Sequence, residues 1–420
     1  MARPSTGTMV RAVGFWGLAA LVFNGIVGAG IFALPGGAAR FAGGMAPLIV
    51  IAVCLALMPI VLLMARLSAL YDETGGPICY ARDAFGRSTA FQLGWMQSLS
   101  SATSAAANSN LCADYVARLL PAPLAGPLGH ALLVLLLLGV VGAIAYAPVA
   151  RGDAVLRAAS LAKLAPLILL LVLAVPAALV AQGAVPQAAE PSLPRAVSLA
   201  AFALVGFESA LTSAGEARSP RRDFPRALLL VFPAVGLLYA GLCSAYGLLA
   251  FDPAVKDGAP LATLAARLVG MGGTVLIVVA AVASILGNAT TNAMVVPRRL
   301  VALSAMGQLP TWFGRIDARG VPTNGTLFTM AVLVTLALSG GFAVLAMMTV
   351  ASRLIVYAVC IAALPRIDRG RGASTLAVLG GVVCAALVAM SEPASWLAVA
   401  VAAVIGVALQ ALARATPRPA

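Results

Sequence analysis

The chain has 420 residues, of which 62% are hydrophobic and only 10% are charged, and its mean hydropathy is +1.02. This composition excludes a soluble globular protein, because apolar segments of about 20 residues, long enough to cross a bilayer as helices, recur from end to end. The formal net charge of +13 raises the question of a nucleic-acid partner, which the distribution of the charges answers below.

Twelve apolar segments are predicted to be transmembrane helices. They cover roughly residues 14–35, 43–69, 85–119, 129–149, 156–181, 195–215, 227–250, 263–303, 324–340, 343–364, 374–390 and 393–413. The third and eighth are longer than a span requires, so we expect them to tilt or to project into the cytoplasm. No cleavable signal peptide is predicted, because Met1 to Arg11 is short and polar and the first segment is too long.

The basic residues indicate the topology. Most of the 27 Lys and Arg residues fall on the same side as the N-terminus, and the other side has Arg40, Arg118, Arg195, Lys256 and Arg267. Cytoplasmic loops of membrane proteins are enriched in Lys and Arg. We therefore predict a protein of the cell (inner) membrane, surrounded by lipid bilayer, with both termini in the cytoplasm. The basic charge reflects this topology, so no nucleic-acid partner is predicted.

The first segment contains a glycine cluster, residues 24–32, at the depth where a membrane helix is most regular. Gly costs about 1 kcal/mol relative to Ala inside a helix, and loosened backbone in a membrane must be buried in protein or line a cavity. On this stretch alone two interpretations remain. One is a small-residue packing face of Gly25, Gly28 and Ala29, and the other is a broken helix whose free amides hold an anion. The helix is predicted to stop at Leu34–Pro35–Gly36–Gly37.

Two further regions bear on the arrangement of the bundle. The loop at residues 74–86 begins with a Gly-Gly-Pro turn signal, and an amphipathic stretch follows; the sequence favours a solvated connector over a helix at the inner interface. The third segment carries small polar residues from Gln97 to Asn110, and the eighth carries Ser284, Asn288 and Asn292. Such residues typically form interhelical hydrogen bonds, so we expect both segments to face the interior.

Lys163, Glu208 and Arg353 are charged residues that we single out inside predicted spans. Lys163 is roughly 10 Å from the cytoplasmic end, where it either snorkels to the surface or acts as a sodium replacement or proton carrier. Glu208 lies mid-membrane, where its carboxyl group has either a structural or a functional role. Arg353 needs a counter-charge, and Glu208 is the acid at comparable depth, so we predict that the two compensate each other.

The two halves of the chain match each other in an inverted sense. The first segment starts inside and the sixth starts outside, and each has a Gly-interrupted polar patch at mid-depth, the second around Gly206. Paired interruptions of this kind indicate an inverted-repeat transporter with a site at the midplane. The predicted repeats are residues 14–181 and 195–364, followed by two apolar, peripheral helices at 374–413, all within a single membrane domain, 1–420.

Catalytic and cofactor chemistry is not predicted. The six cysteines are scattered, His130 is the only histidine, and no Ser/His/Asp set or Walker loop is present. We therefore expect no enzyme activity, no metal, no cofactor and no use of ATP, and nothing in the sequence indicates an obligate protein subunit.

Five motifs, in order and in the predicted orientation, carry a resemblance to a known family. They are Gly28–Ala29–Gly30–Ile31–Phe32, Gly75–Gly76–Pro77 with Tyr80, Phe202–Ala203 with Gly206–Phe207–Glu208, the run from Pro220 to Leu228, and Arg299 with Ala305, Gly307 and Leu309–Pro310. Over nearly the whole chain they resemble the amino acid–polyamine–organocation (APC) superfamily, specifically bacterial amino acid permeases. The resemblance implies an all-α integral membrane protein with 12 transmembrane helices, in a leucine-transporter-type 5+5 inverted repeat with discontinuous helices 1 and 6.

The resemblance also implies the roles of site residues. The α-carboxylate of the substrate is expected on first-helix amides and the α-ammonium on sixth-helix carbonyls, with Phe202 as a lid. The implied substrate-binding residues are Ile26, Gly28, Ala29, Gly30, Phe202, Ala203, Val205 and Gly206, and the implied ion-coupling residues are Lys163 and Glu208. Relatives often carry Ser in place of Ala29, so this chain has no hydroxyl there to contact the carboxylate. Some relatives carry Gly in place of Val205, whose two methyl groups would narrow the pocket and favour a small or slender substrate side chain.

The predicted function is therefore secondary active transport of an amino acid by alternating access. Sodium independence follows from the position of Lys163, with proton symport or amino acid exchange as the coupling. An amine or polyamine exchanger and a transporter-like membrane sensor are the alternatives.

Overall fold

A computed structural model of the chain describes residues 14–71, 75–121, 126–146, 164–180, 186–211 and 219–415. Within these ranges the chain is helical and contains no β-strand. The helices, in chain order, are α1 (Phe15–Ile26), α2 (Gly30–Ala42), α3 (Ala46–Ser68), α4 (Pro77–Phe85), α5 (Arg87–Ala117), α6 (Pro127–Ala145), α7 (Leu164–Val180), α8 (Leu193–Leu204), α9 (Glu208–Leu211), α10 (Pro220–Leu249), α11 (Pro260–Val269), α12 (Met271–Ala305), α13 (Thr323–Ser339), α14 (Phe342–Ile367), α15 (Ala373–Ala389) and α16 (Pro393–Ala415).

Seven helical segments in the described ranges are long and apolar enough to cross a membrane. They are Gly30–Ser68, Pro127–Ala145, Leu193–Leu211, Arg221–Leu249, Met271–Ala305, Phe342–Ile367 and Pro393–Ala415. Shorter apolar helices precede or lie between them, including α1, α7 and α13. These segments are consistent with the all-helical integral membrane protein that the composition predicts.

The first and sixth predicted spans are both interrupted at mid-length. Residues 27–29 separate α1 from α2, and residues 205–207 separate α8 from α9. Val27 has φ −81° and ψ 81°, and the Gly28 N–H donates to the Ile26 carbonyl oxygen at 2.9 Å, which is an inverse γ-turn. Gly206 has φ +121°, a conformation that favours glycine. The discontinuities predicted for these two spans are therefore present.

The two interruptions pack directly against each other. A Cβ placed on Gly25 would lie 2.8 Å from the Gly206 carbonyl oxygen, and one placed on Gly30 would lie 2.6 Å from the Ala203 Cα. Real Cβ atoms essentially never approach other heavy atoms this closely. Gly25 and Gly30 are therefore glycines because the backbones of the two broken helices meet there.

The predicted stop of the first span at Leu34–Gly37 is wrong, because α2 continues through Pro35 to Ala42. Gly36 and Gly37 instead form a close-packing surface, where added Cβ atoms would meet the side chains of Pro260 and Leu199. Packing against α8 and α11 therefore overrides the local signal for a helix end.

The prediction of a solvated connector after Gly-Gly-Pro is also wrong. Helix α4 forms there and buries Cys79, Tyr80 and Ala81, with the Tyr80 ring 4.8 Å from the Tyr71 ring. Its apolar face stabilises the helix against the bundle, and it ends at Gly86, whose φ is +89°.

The eighth predicted span is two helices, α11 and α12, separated by Gly270 with φ +70°. The separate short helix α11 therefore accounts for part of the extra length predicted for this span, while α12 is itself 35 residues long. The reason is local, since a left-handed glycine ends one helix and allows the chain to turn into the next.

Helix α5 occupies the centre of the bundle. It is buried over most of its length, from Ala90 to Tyr115, and it packs against both α12 and α14. The prediction that its polar residues face the interior is confirmed. Helix α16 lies outside this core and touches α5 through the Trp95 Nε1–H, which donates to the Ala402 carbonyl oxygen at 2.7 Å.

Candidate functional site

A central cavity lies between the two interrupted spans and the helices α5, α12 and α14. Its lining residues are Gly25, Ile26, Gly28, Ala29, Gly30, Gln97, Ser100, Ser101, Ser104, Asn108, Phe202, Val205, Glu208, Ser209, Asn288, Asn292, Arg299, Arg353 and Val356. Most of the residues predicted to bind substrate are among them. The exceptions are Ala203 and Gly206, which pack against Gly30 and Gly25. Lys163 lies outside the described residues.

The start of α2 presents unused N–H groups at this cavity. The Gly28 N–H is engaged within the γ-turn by the Ile26 carbonyl. The N–H groups of Ala29, Gly30 and Ile31 donate to no acceptor in the part of the chain that the structure describes. Free N–H groups at a helix N-terminus, together with the helix dipole, attract an anion.

The end of α8 has the opposite polarity. The Gly206 N–H donates to Glu208 Oε2 at 3.0 Å instead of continuing the helical hydrogen bonding to Phe202. As a result, the carbonyl oxygens of residues 202–204 accept no hydrogen bond from any described residue. Unpaired carbonyl oxygens at a helix C-terminus attract a cation. One cavity therefore has an anion-binding and a cation-binding helix end on its walls.

The Glu208 carboxylate contacts three groups: the Gly206 N–H, the Tyr357 hydroxyl and the Arg353 guanidinium. Its Oε2 also accepts from the Tyr357 hydroxyl at 2.8 Å, and its Oε1 lies 3.4 Å from Arg353 Nε. Arg353 Nε further donates to Ser100 Oγ at 3.0 Å. The side chains of Glu208 and Arg353 are only 9% and 14% exposed. The predicted compensation of Arg353 by Glu208 is therefore confirmed.

Three asparagines form a hydrogen-bonded group beside Gly28. Asn288 Oδ1 accepts from Asn108 Nδ2 at 2.8 Å and from Asn292 Nδ2 at 3.0 Å. A Cβ on Gly28 would lie 3.2 Å from Asn288 Nδ2. The buried Asn108 Oδ1 and Gln97 Oε1 accept from none of the described residues, so the cavity wall has acceptors that a ligand or water can satisfy.

Arg299 lines the cavity, although the charge distribution predicts it on the same side of the membrane as the N-terminus. Its Nη1 lies 3.4 Å from Ser98 Oγ, whereas the neighbouring Arg298 is exposed. The signal was helical spacing: Asn288, Asn292 and Arg299 follow at i, i+4 and i+11, which is one face of a helix.

A larger vestibule lies next to the central cavity and is lined in part by Arg40 and Lys256, two residues that the charge distribution predicts on the side opposite the N-terminus. Phe202 lines the central cavity and Phe342 lines the vestibule, and their rings meet edge to face with centroids 5.4 Å apart. This aromatic pair lies at the boundary between the two spaces.

Interrupted membrane helices whose ends of opposite polarity face one buried cavity are typical of secondary transporters. The chain belongs to the amino acid permease family, whose model matches residues 13–411. It is a multi-pass membrane transporter of the APC superfamily.

Several known transporters are similar over most of their length. An uncharacterized transporter of Mycobacterium tuberculosis strain H37Rv is 27% identical, covering 96% of this chain and 90% of the relative. The L-methionine/branched-chain amino acid exporter of Escherichia coli K12 is 28% identical over 88% of this chain and 89% of the exporter. The cadaverine/lysine antiporter of the same strain is 24% identical over 79% of this chain and 77% of the antiporter.

Proposed function

We propose that the protein moves an amino acid across the cell (inner) membrane by alternating access. The observation that carries this proposal is the pair of helix ends at the central cavity. An amino acid has a carboxylate and an ammonium on the same carbon, and these charges match the N–H groups of Ala29 and Gly30 and the carbonyl oxygens near Phe202. The amino acid exporter among the relatives supports the same substrate class.

The proposed architecture is twelve crossings in a leucine-transporter-type fold. Residues 14–181 and 195–364 form the two inverted repeats, and residues 374–413 form the last two crossings. Supporting this, an interrupted span opens each proposed repeat, and the two interruptions lie against each other.

Ion coupling is proposed to involve Lys163 and Glu208 without sodium. Glu208 ties the second interruption to α14 through Arg353 and Tyr357, so a proton on this carboxyl would weaken the attraction between the two elements. Coupling is by proton symport or by exchange of one amino acid for another, and the experiment below decides between them.

The test is uptake of a mixed panel of radiolabelled amino acids into proteoliposomes, with and without an inward proton gradient. Accumulation that depends on the gradient and is lost in Lys163→Ala identifies a proton-coupled permease. Uptake that requires internal amino acid identifies an exchanger. Binding without flux under either condition would contradict the transport proposal and favour a sensor.

The cadaverine/lysine antiporter among the relatives favours a second candidate, an amine or polyamine exchanger. A substrate without a carboxylate leaves the α2 N–H groups unused. Competition by carboxylate-free amines therefore separates the two candidates: amines that block uptake as well as amino acids do would support the exchanger.

A further inference from the structure

The charged groups of the central cavity do not balance. Among the described residues, the charged side chains that line it are Glu208, Arg299 and Arg353. A guanidinium remains protonated under all ordinary conditions. With Glu208 ionised, the wall therefore has two positive charges and one negative charge.

Both carboxylate oxygens of Glu208 are already engaged by protein groups, so a cationic ligand would have to compete with them. Its Oε2 accepts from the Gly206 N–H at 3.0 Å and from the Tyr357 hydroxyl at 2.8 Å, and its Oε1 faces Arg353 Nε at 3.4 Å. Removing the Gly206 contact would also disturb the interruption between α8 and α9. The one carboxylate among the described lining residues is thus already bound by other groups of the protein.

Among the described residues, Arg299 has no ion-pair partner, and Glu208 attracts its charge only at longer range. Its contact within the described chain is Ser98 Oγ, at the long distance of 3.4 Å, although a guanidinium has five N–H donors. The cavity lining also includes the apolar residues Ile26, Val205 and Val356. A further positive charge in this cavity therefore meets repulsion from two guanidinium groups, and among the described residues the one lining carboxylate is already engaged.

We propose that Arg299 is a specificity-determining residue that excludes amino acids with a positively charged side chain. The substrate class is then an α-amino acid whose side chain has no positive charge. This rests on the proposed function and deepens it. At the low effective dielectric of such a site, a like charge lowers affinity by roughly tenfold or more.

The first test uses the wild-type protein in proteoliposomes and compares two competitors of uptake, norleucine and lysine. Norleucine has the four-carbon side chain of lysine without its ammonium. Norleucine should compete at least tenfold better than lysine. Equal competition by lysine, or competition by cadaverine, would overturn the proposal, whereas an absence of any amino acid flux would instead contradict the proposed function.

The second test changes the charge at the site. Arg299→Gln should improve competition by lysine about tenfold relative to norleucine, while Arg299→Lys, which keeps the charge, and Arg298→Gln, which removes the exposed neighbouring charge, should not. Ser98→Asp places a counter-charge beside an intact Arg299 and should admit lysine in the same way, so the test survives if Arg299→Gln does not fold. Lysine discrimination that is unchanged in both Arg299→Gln and Ser98→Asp would overturn the proposal.

Discussion

Two separate constraints, the backbone conformation and the space available for a side chain, require glycine at position 206. Its φ of +121° is unfavourable for residues with a side chain, and an added Cβ would contact the Gly25 carbonyl and lie 3.0 Å from Arg353 Nη1. We expect Gly206→Ala to lower the thermal unfolding midpoint in detergent strongly, since backbone strain alone costs about 1–3 kcal/mol, and to abolish uptake.

The matched control is Gly139→Ala in α6, where an added Cβ meets no atom within 4 Å. This substitution should be neutral or stabilising by up to about 1 kcal/mol, because Ala is the better helix former. Similar midpoints for the two variants would contradict the role given to Gly206.

The buried pair of Glu208 and Arg353 should behave as a coupled unit. Glu208→Gln or Arg353→Gln alone leaves one charge without its partner, a loss of about 3–5 kcal/mol for buried pairs. The double variant should be more stable and more active than the sum of the single losses predicts. A double-mutant cycle on unfolding midpoint and on uptake measures this coupling, and strictly additive losses would argue against an ion-pair role.

At the scale of elements, an ion pair joins the end of α3 to the segment between α14 and α15. Arg66 Nε lies 2.5 Å from Asp368 Oδ2, and the Gly370 N–H donates to Oδ1 at 2.7 Å. The Arg66 hydrogen bond, followed by the Gly370 N–H, lowers the pKa of Asp368. A carboxyl with a lowered folded-state pKa stabilises the fold above its unfolded pKa of about 3.9 and loses this contribution as the pH falls through the folded pKa.

We therefore expect Asp368→Asn to lower the unfolding midpoint at pH 7, and the difference from wild type to close below about pH 4. The effect is modest because the pair is partly exposed. Arg369→Gln, a change of an exposed neighbouring charge, is the control and should show no such pH dependence. A difference that stays constant from pH 7 to well below pH 4 would show that Asp368 acts through packing alone.

For the whole molecule, the charge distribution predicts both termini in the cytoplasm. A phosphatase reporter fused after Lys256 should be active, because that loop is expected outside, whereas a reporter fused after Arg371 should be inactive. Green fluorescent protein at the C-terminus should be fluorescent in intact cells. Phosphatase activity after Arg371 would reverse the predicted orientation.

The fold was predictable where the signal is a composition or a period. Apolar length indicated membrane helices, and the glycines around Gly28 and Gly206 indicated where two of them are interrupted. The predicted stop at Leu34–Gly37 failed because the same glycines serve contacts with Leu199 and Pro260, which lie far away in the sequence. Local signals do not distinguish a helix end from a packing surface.

The candidate site was predictable in part for the same reason. Glu208 and Arg353 were paired by elimination, since a buried charge requires a partner. Arg299 was missed because its depth depends on how α12 is placed beside α5. The spacing within α12 puts it on the face of Asn288 and Asn292 but does not give that depth.

The sequence by itself therefore determined the membrane class, the helical composition, the two interruptions and the buried ion pair, all of which follow from solvation in a bilayer and from local backbone preferences. Only the tertiary structure decided which groups share the central cavity and which are already engaged. It showed that Gly25 and Gly30 are packing contacts, that the N–H groups of residues 29–31 donate to no acceptor in the described ranges, and that Glu208 contacts Gly206, Tyr357 and Arg353. Such properties depend on distances between distant segments, and these exist only in the folded chain.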